Sequence, residues 1–328
     1  MRSILFLLLF FILAEGIAQK LEYKVRFHGI GDNREFASNK AYSQTILGER
    51  AGFEIGTTLE KNHRFRIGLS HLFEFGSEMD EQKPKLTAYY QYEDKQKTFY
   101  FGAFPRMDLI SFPLVLLTDT FLYYRPNIEG LYGRYNWSWG HQSGFVDWTG
   151  RQTETRREAF MAGFSGEMRC HSFFFQNYLT LYHYAEMTLD VENIHIKDNM
   201  GMVLYVGSDL EKLVPLDKSY IKMGMIGSSI RERSVTDGFT NAASFTGELY
   251  GEKNSFALHA ILHEGKGHHL MNGDRFYDAD SYLRTDLIWK FINKEHIQGR
   301  FNLSFHLIEG NDLDQSQQLS LVYTFGND

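Results

Sequence analysis

From Gln19 to the final residues the chain repeats one pattern, in which segments of about 7 to 15 residues alternate apolar and polar side chains between polar connections. Alternation with a period of two marks a strand, one face toward an apolar medium and the other toward a polar one. Strands are expected at 21–28, 45–59, 64–76, 85–93, 98–104, 127–139, 143–149, 158–169, 172–184, 200–209, 218–229, 241–251, 255–263, 280–291, 297–308 and 316–326. The connections follow a rhythm of their own. "EKNH" (60–63), "DKQK" (94–97), "HQ" (141–142), "EKN" (252–254) and "NKEH" (293–296) take every second place. Between them lie mostly longer stretches, at 30–44, 77–84, 105–126, 150–157, 185–199, 230–240, 264–279 and 309–315; the turn at 210–217 departs from this alternation. Short turns on one rim, long loops on the other and about sixteen strands (14–18) describe a closed antiparallel transmembrane barrel, an all-β fold. A soluble sandwich has no reason to keep that alternation of lengths. All five prolines fall in connections or at strand ends, where no ladder hydrogen bond is lost.

The two faces separate by parity. In "LEYKVRFHG", Leu21, Tyr23, Val25 and Phe27 oppose Glu22, Lys24, Arg26 and His28. In "RFRIGLSHLFEFG", Phe65, Ile67, Leu69, Phe73 and Phe75 oppose Arg64, Arg66, Ser70 and Glu74, with His71 and Leu72 breaking the pattern. Sixteen large aromatic faces would overfill a barrel interior, whereas Arg and Glu mixed with Gly suit a wet lumen, so the apolar side is expected outward. Tryptophans sit near strand ends: Trp137, Trp139 and Trp289 toward the short-turn rim, Trp148 toward the other. With Phe325 they form the expected interfacial girdle. The last strand, in "QQLSLVYTFGND", would be an exposed edge unless it pairs with 21–28 and closes the cylinder, as a bilayer requires.

The ends and the composition bound the class. Arg2, the apolar run "ILFLLLFFILA" and small residues at Gly16 and Ala18 fit a secretory signal peptide over 1–18, with 19–328 as a single barrel domain in the outer membrane of a Gram-negative cell. Cys170 is the only cysteine, which excludes an intrachain disulfide. A net charge of -7 without a long basic block argues against a nucleic-acid partner.

The export signal, the turn and loop rhythm and the final aromatic strand ending near Phe325 together resemble the bacterial outer-membrane porins of about sixteen strands. The segments "TDTFLYYRPNIEGLYGRY" and "DWTGRQTETRREAF" are also similar to barrel proteins of Bacteroidota, a resemblance that brings no activity with it. The porin resemblance implies lipid and lipopolysaccharide surroundings, insertion by the barrel insertion machinery through the terminal aromatic strand, and homotrimers. "GND" after Phe325 departs from a terminal aromatic residue. The resemblance also implies that the long, apolar third loop, 105–126, folds into the lumen and narrows it. Asp108 and Asp119 would then face Arg26, Arg50 and Arg66, a constriction whose transverse field filters solutes, with a weak preference for anions. A plainer arrangement has these arginines solvate the wall and pair with Glu54 or Glu74.

Other polar clusters are read more simply. "LHEGKGHHL" offers His263, Glu264, His268 and His269, but their spacing matches no helix-borne zinc pattern, and a solvated loop with no metal or other cofactor is expected. "DNREF" and "RQTETRRE" suit a solvated outer rim, where Arg151, Arg156 and Arg157 could meet lipopolysaccharide phosphates. Cys170 reads as a free thiol. His183, His259 and His306 are available to a barrel hydrolase, yet no local Ser-plus-His motif accompanies them, and triad members on separate strands escape a local search. The sequence therefore leads to a porin-like channel for passive diffusion of small hydrophilic solutes, not an enzyme. A barrel hydrolase, or a plugged structural or adhesive barrel, is the alternative.

Overall fold

The computed structural model describes residues 20–327 apart from 39, 79–81, 189–194 and 310–312. The expected leader over 1–18 lies outside those residues. Among the described residues, sixteen strands close into one antiparallel barrel. They are β1 (Lys20–Glu35), β2 (Gln44–Leu59), β3 (His63–Glu74), β4 (Lys85–Glu93), β5 (Lys97–Pro105), β6 (Asn127–Trp137), β7 (Gly140–Gly150) and β8 (Ala159–Cys170). The second half runs β9 (Phe173–Tyr184), β10 (Lys197–Asp209), β11 (Lys218–Glu232), β12 (Thr240–Lys253), β13 (Phe256–Gly265), β14 (Ser281–Asn293), β15 (Ile297–Ile308) and β16 (Leu313–Gly326). Each strand pairs with its neighbours in sequence, and β1 pairs with β16 from Lys24↔Gly326 to Glu35↔Gln315. Asn327 ties the seam: its side chain accepts from the Tyr23 amide at 2.8 Å and donates to the Leu21 carbonyl at 3.2 Å. The two-residue turn at 254–255 places Asn254 at φ 54°, the left-handed conformation that tight hairpins demand.

The outer surface is the apolar one. On β3, Phe65, Ile67, Leu69 and Phe73 are exposed while Arg66 and Leu72 between them are buried. Trp139, Trp148, Trp289 and Phe325 are exposed near strand ends; Trp137 packs on Trp139 at 5.2 Å and Phe325 on Tyr23 at 5.7 Å. An exposed aliphatic and aromatic belt of this extent is stable only against lipid.

The lumen is less wet than the alternation suggests. Two loops from the long-loop rim, 106–126 and 266–280, fold into it and join: the Thr118 amide donates to the Asn272 carbonyl and the Asp274 amide to the Leu114 carbonyl, both at 2.8 Å. The first contains helix α1 (Asp119–Tyr124), capped by the Thr118 hydroxyl. Val115, Leu116, Leu270, Phe276 and Tyr277 from these loops pack on Val203, Tyr205, Ile226, Tyr282 and Ile308 of the wall. A second core sets Ile110 and Leu117 against Phe104, Ile128, Phe145 and Met161. The expectation of a wet lumen lined by Arg, Glu and Gly is therefore corrected where the loops dock. Leu72, which broke the alternation of β3, points inward and packs with Ile46 and Tyr123 of α1. β1 also reaches seven residues past its expected end at 28, to Glu35.

Candidate functional site

One row of side chains crosses four strands on the outer face near the long-loop rim. Phe160 of β8 lies opposite His183 of β9, His183 opposite Asp198 of β10, and Asp198 opposite Arg231 of β11. The rings of Phe160 and His183 are 5.2 Å apart, and Trp148 of β7 stacks on Phe160 at 5.6 Å. His183 Nδ1 is 2.7 Å from Asp198 Oδ1, and Arg233 Nε donates to Asp198 Oδ2 at 3.0 Å. A carboxylate can only accept, so Nδ1 carries a proton, and in the neutral ring the lone pair is on Nε2. Arg233 balances the carboxylate charge, which lets Asp198 orient the ring without taking its proton. The His183 and Asp198 side chains are only 19% and 12% exposed, while Arg233 is 46% exposed. The row thus offers an oriented base beside cationic groups and aromatic faces, the elements of acid–base chemistry on an anionic amphiphile.

The loop arginines nearby differ in what they hold. Arg157 lies 3.7 Å over the Tyr184 ring and donates to the Ala185 carbonyl at 2.6 Å, so it secures the rim. Arg156 donates to the Thr149 carbonyl at 3.3 Å, and Arg151 is exposed.

Inside the barrel, Arg26 pairs with Asp108 at 2.8 Å, and Asp108 lies near the start of the inward loop with φ 74°. Arg50 donates to the Tyr123 carbonyl at 2.8 Å. Arg66 is buried against Glu22 at 2.9 Å, and Asp119 lines a separate cavity of about 260 Å³ with Arg34, Asp274 and Arg284. The structure thus brings Arg26, Arg50 and Asp108 together and leaves Arg66 and Asp119 apart from them. A larger cavity of about 460 Å³ is lined by Asp108, Arg134, His141, Ser143 and Glu167. Ser143 there bonds Ser165 at 2.9 Å and Glu167 bonds Gln176 at 2.7 Å. Among the described contacts, then, these groups assemble no nucleophile and base.

Two histidines of "LHEGKGHHL" are not solvated, which corrects the reading of that loop for them, while His269 is exposed. His263 and His268 are buried in a chain from Ser228 to His268 (2.8 Å), Ser244 (2.7 Å), His263 (3.1 Å) and the Ala279 carbonyl (3.0 Å). Burial, then the neighbouring His263 and His269, hold the His268 pKa down at about 4. Among the described residues no group of three metal-ligating side chains occurs. His259 bonds Glu248 at 2.9 Å and His306 bonds Tyr282 at 2.7 Å. Cys170 is exposed, 3.5 Å from His171 Nδ1. Of the three histidines singled out in the sequence, only His183 faces outward at the upper rim. Its partners were missed because Asp198 lies on another strand and Arg233 just past the end of β11; the available signal was polar residues at outward parity in neighbouring segments.

The fold is similar to that of solved outer-membrane proteins. The outer membrane protein OpdK from Pseudomonas aeruginosa superposes with a TM-score of 0.53 at 8% identity, covering 94% of this chain and 99% of its own. OccK9 (OpdG) from the same organism gives 0.51 at 9% identity, over 94% and 99%. OccK2 (OpdF) of Pseudomonas aeruginosa, in complex with glucuronate, gives 0.50 at 10% identity, over 94% and 98%. At such identities the likeness speaks for the barrel alone, the fold of outer-membrane porins. No curated protein matches the chain. The family model for lipid A 3'-O-deacylase-type proteins matches residues 13–327. That family is named for an enzyme, which overturns the expectation of a protein that performs no chemistry. By a match over nearly its whole length, the chain belongs to the lipid A 3'-O-deacylase-type family.

Proposed function

We propose that the protein hydrolyses an ester-linked acyl chain of lipid A, or of a glycolipid built like it, at the outward row of His183 and Asp198. The observation that supports this most is the 2.7 Å bond between them on the lipid-facing side of the long-loop rim, the level at which an outer-leaflet glycolipid presents its acyl esters. In the reaction, His183 Nε2 takes a proton from water as its oxygen attacks the ester carbonyl carbon. The tetrahedral intermediate then collapses, the bond to the sugar oxygen breaks, and the imidazolium returns the proton to that oxygen. Asp198 holds the ring in the required tautomer and stabilises the imidazolium, a role seen wherever a carboxylate orients a catalytic histidine. Arg231 and Arg233 suit the lipid phosphates, and Trp148 with Phe160 suits the sugar and acyl root. The test is the mass spectrum of lipid A from a Gram-negative host producing the protein. Loss of one fatty acyl group is expected, and an unchanged spectrum from cells with folded barrel contradicts the reading.

A second reading, passage of small hydrophilic solutes through the lumen, is supported by the Arg26–Asp108 pair. Asp108 lines both the 460 Å³ cavity and one of about 160 Å³ beside β1 and β2, as a charged neck between two spaces would. Single-channel conductance in a planar bilayer tests it. Current through the folded protein is expected, and its absence contradicts this reading while leaving the esterase proposal intact.

A further inference from the structure

We infer that the outer face at the short-turn rim holds one zwitterionic diacyl phospholipid, with an acyl chain in the groove beside the turn 210–217 and an ester carbonyl bonded to Ser219. The site lies at the opposite rim from His183 and is independent of the chemistry proposed there.

The turn makes the groove. Among short polar turns, "LEKLVPLD" (210–217) is long and apolar. It folds on itself, the Leu213 and Val214 amides donating to the Leu210 carbonyl at 2.8 and 3.1 Å, and the Asp217 amide fastens its end to the Glu252 carbonyl at 2.9 Å. Its side chains lie over the barrel wall: a Cβ at Gly251 would stand 3.0 Å from Leu216 Cδ1. Leu210, Val214 and Leu216 thereby form one bank of an apolar groove of about 800 Å³.

Register lays the floor. Ser219, Gly251, Leu258, Leu287 and Leu303 are successive partners across β11 to β15, and all of them line the groove. One outward position nearer the rim, Lys253, Phe256, Trp289 and Phe301 make the next row, with Phe256 and Trp289 stacked at 6.3 Å. Aromatic girdles mark the level of the lipid head groups. The groove therefore runs from that level into the hydrocarbon of the periplasmic leaflet, where each methylene it buries adds to binding.

Ser219 identifies what stands at the root of the chain. Ile221 and Met223, outward on the same strand, are exposed, yet Ser219 is only 3% exposed and its hydroxyl has no hydrogen-bond partner among the described residues. A buried hydroxyl left unbonded is costly, and an acceptor removes the cost. The acceptor that an acyl chain carries at its root is an ester carbonyl. A few bonds further out, the lipid phosphate falls at the level of Lys253, two residues along β12 from Gly251, a rise of about 7 Å. Lys253 and Asp217, paired at 3.0 Å and each about half exposed, offer a cation to the phosphate and an anion to an ammonium head group. A second copy of the barrel suits this place less, because Ser219 lies beside the folded turn, where a narrow chain reaches and a broad wall does not.

Native mass spectrometry of the refolded full-length barrel in detergent, titrated with dipalmitoyl phosphatidylethanolamine and with its diether analogue, tests the inference. Saturable binding of one diester lipid is expected. The diether has no carbonyl and should bind about fivefold more weakly, the worth of one neutral hydrogen bond. Ser219→Ala should lower the affinity for the diester to that for the diether and leave the diether unaffected, a pattern that misfolding does not produce. The inference is overturned by the absence of saturable lipid on the folded barrel, by equal binding of diester and diether to the wild type, by Ser219→Ala leaving the diester affinity unchanged, or by barrels that pair with each other and carry no lipid.

Discussion

His183 and Asp198 are cross-strand partners on β9 and β10, joined Nδ1 to Oδ1 at 2.7 Å on the side of the barrel that meets lipid. Ionisable groups in that setting are costly and are retained where they serve a function. Replacing Asp198 by Asn should leave the barrel folded but free the histidine to adopt the wrong tautomer. Release of acyl chain from lipid A should then fall by about 10²- to 10⁴-fold, the usual contribution of a positioned general base. Fatty acid release by the purified variant, with unfolding in urea as the control for folding, measures it.

The loop at 266–280 should loosen as the pH falls. His268 titrates at about 4 in the folded state, because burial disfavours its charged form, against 6.5 when unfolded. Between those values the undocked loop binds a proton that the docked loop does not. The docked state is therefore fully stable above about pH 6.5 and loses stability as the pH falls toward 4, by at most about 3 kcal/mol. Hydrogen exchange of the His268 amide, bonded to the Tyr277 carbonyl at 2.7 Å, should accelerate over that window in the wild type and show no such step in His268→Gln.

Arg106 and Asp147 form an ion pair with both side chains almost wholly removed from solvent. Arg106 also donates to the Arg125 and Asn127 carbonyls at 3.0 and 2.8 Å, so the pair fastens the root of the inward loop. Asp147→Ala should cost about 3–5 kcal/mol, because an unpaired guanidinium stays buried. Equilibrium unfolding in urea measures this, and a loss below about 1 kcal/mol would contradict the assigned role.

Gly201 faces the lumen where both inward loops land. A Cβ there would lie 2.5 Å from Leu116 Cδ2 and 2.8 Å from Leu270 Cδ1. Gly201→Val should lift both loops from the wall, raising proteolytic cleavage within 106–126 and 266–280 while the barrel persists. Unchanged cleavage would mean that the leucines have room to move aside.

The barrel was legible because its period of two follows directly from the pleat and its rim rhythm from the membrane. Leu319, Leu321 and Tyr323 announce an outward face in any register. The interior was harder to read. Val203, Tyr205 and Ile226 point inward yet are apolar, since Leu116 and Leu270 arrive from loops far away in sequence. For the same reason His268 looked like a solvated loop residue, although Ser228 and Ser244 wait for it on two strands. His183 was visible as a candidate. Asp198, fifteen positions later and across a loop, becomes its partner only once the register of β9 and β10 is known.

The most direct measurement is fatty acid release from lipid A micelles by the purified, folded wild-type barrel beside His183→Ala. The wild type should liberate one acyl chain per lipid, and His183→Ala should liberate it at least about 10²-fold more slowly. Equal release by both proteins, or none by the wild type, would contradict a hydrolytic centre at the outer rim.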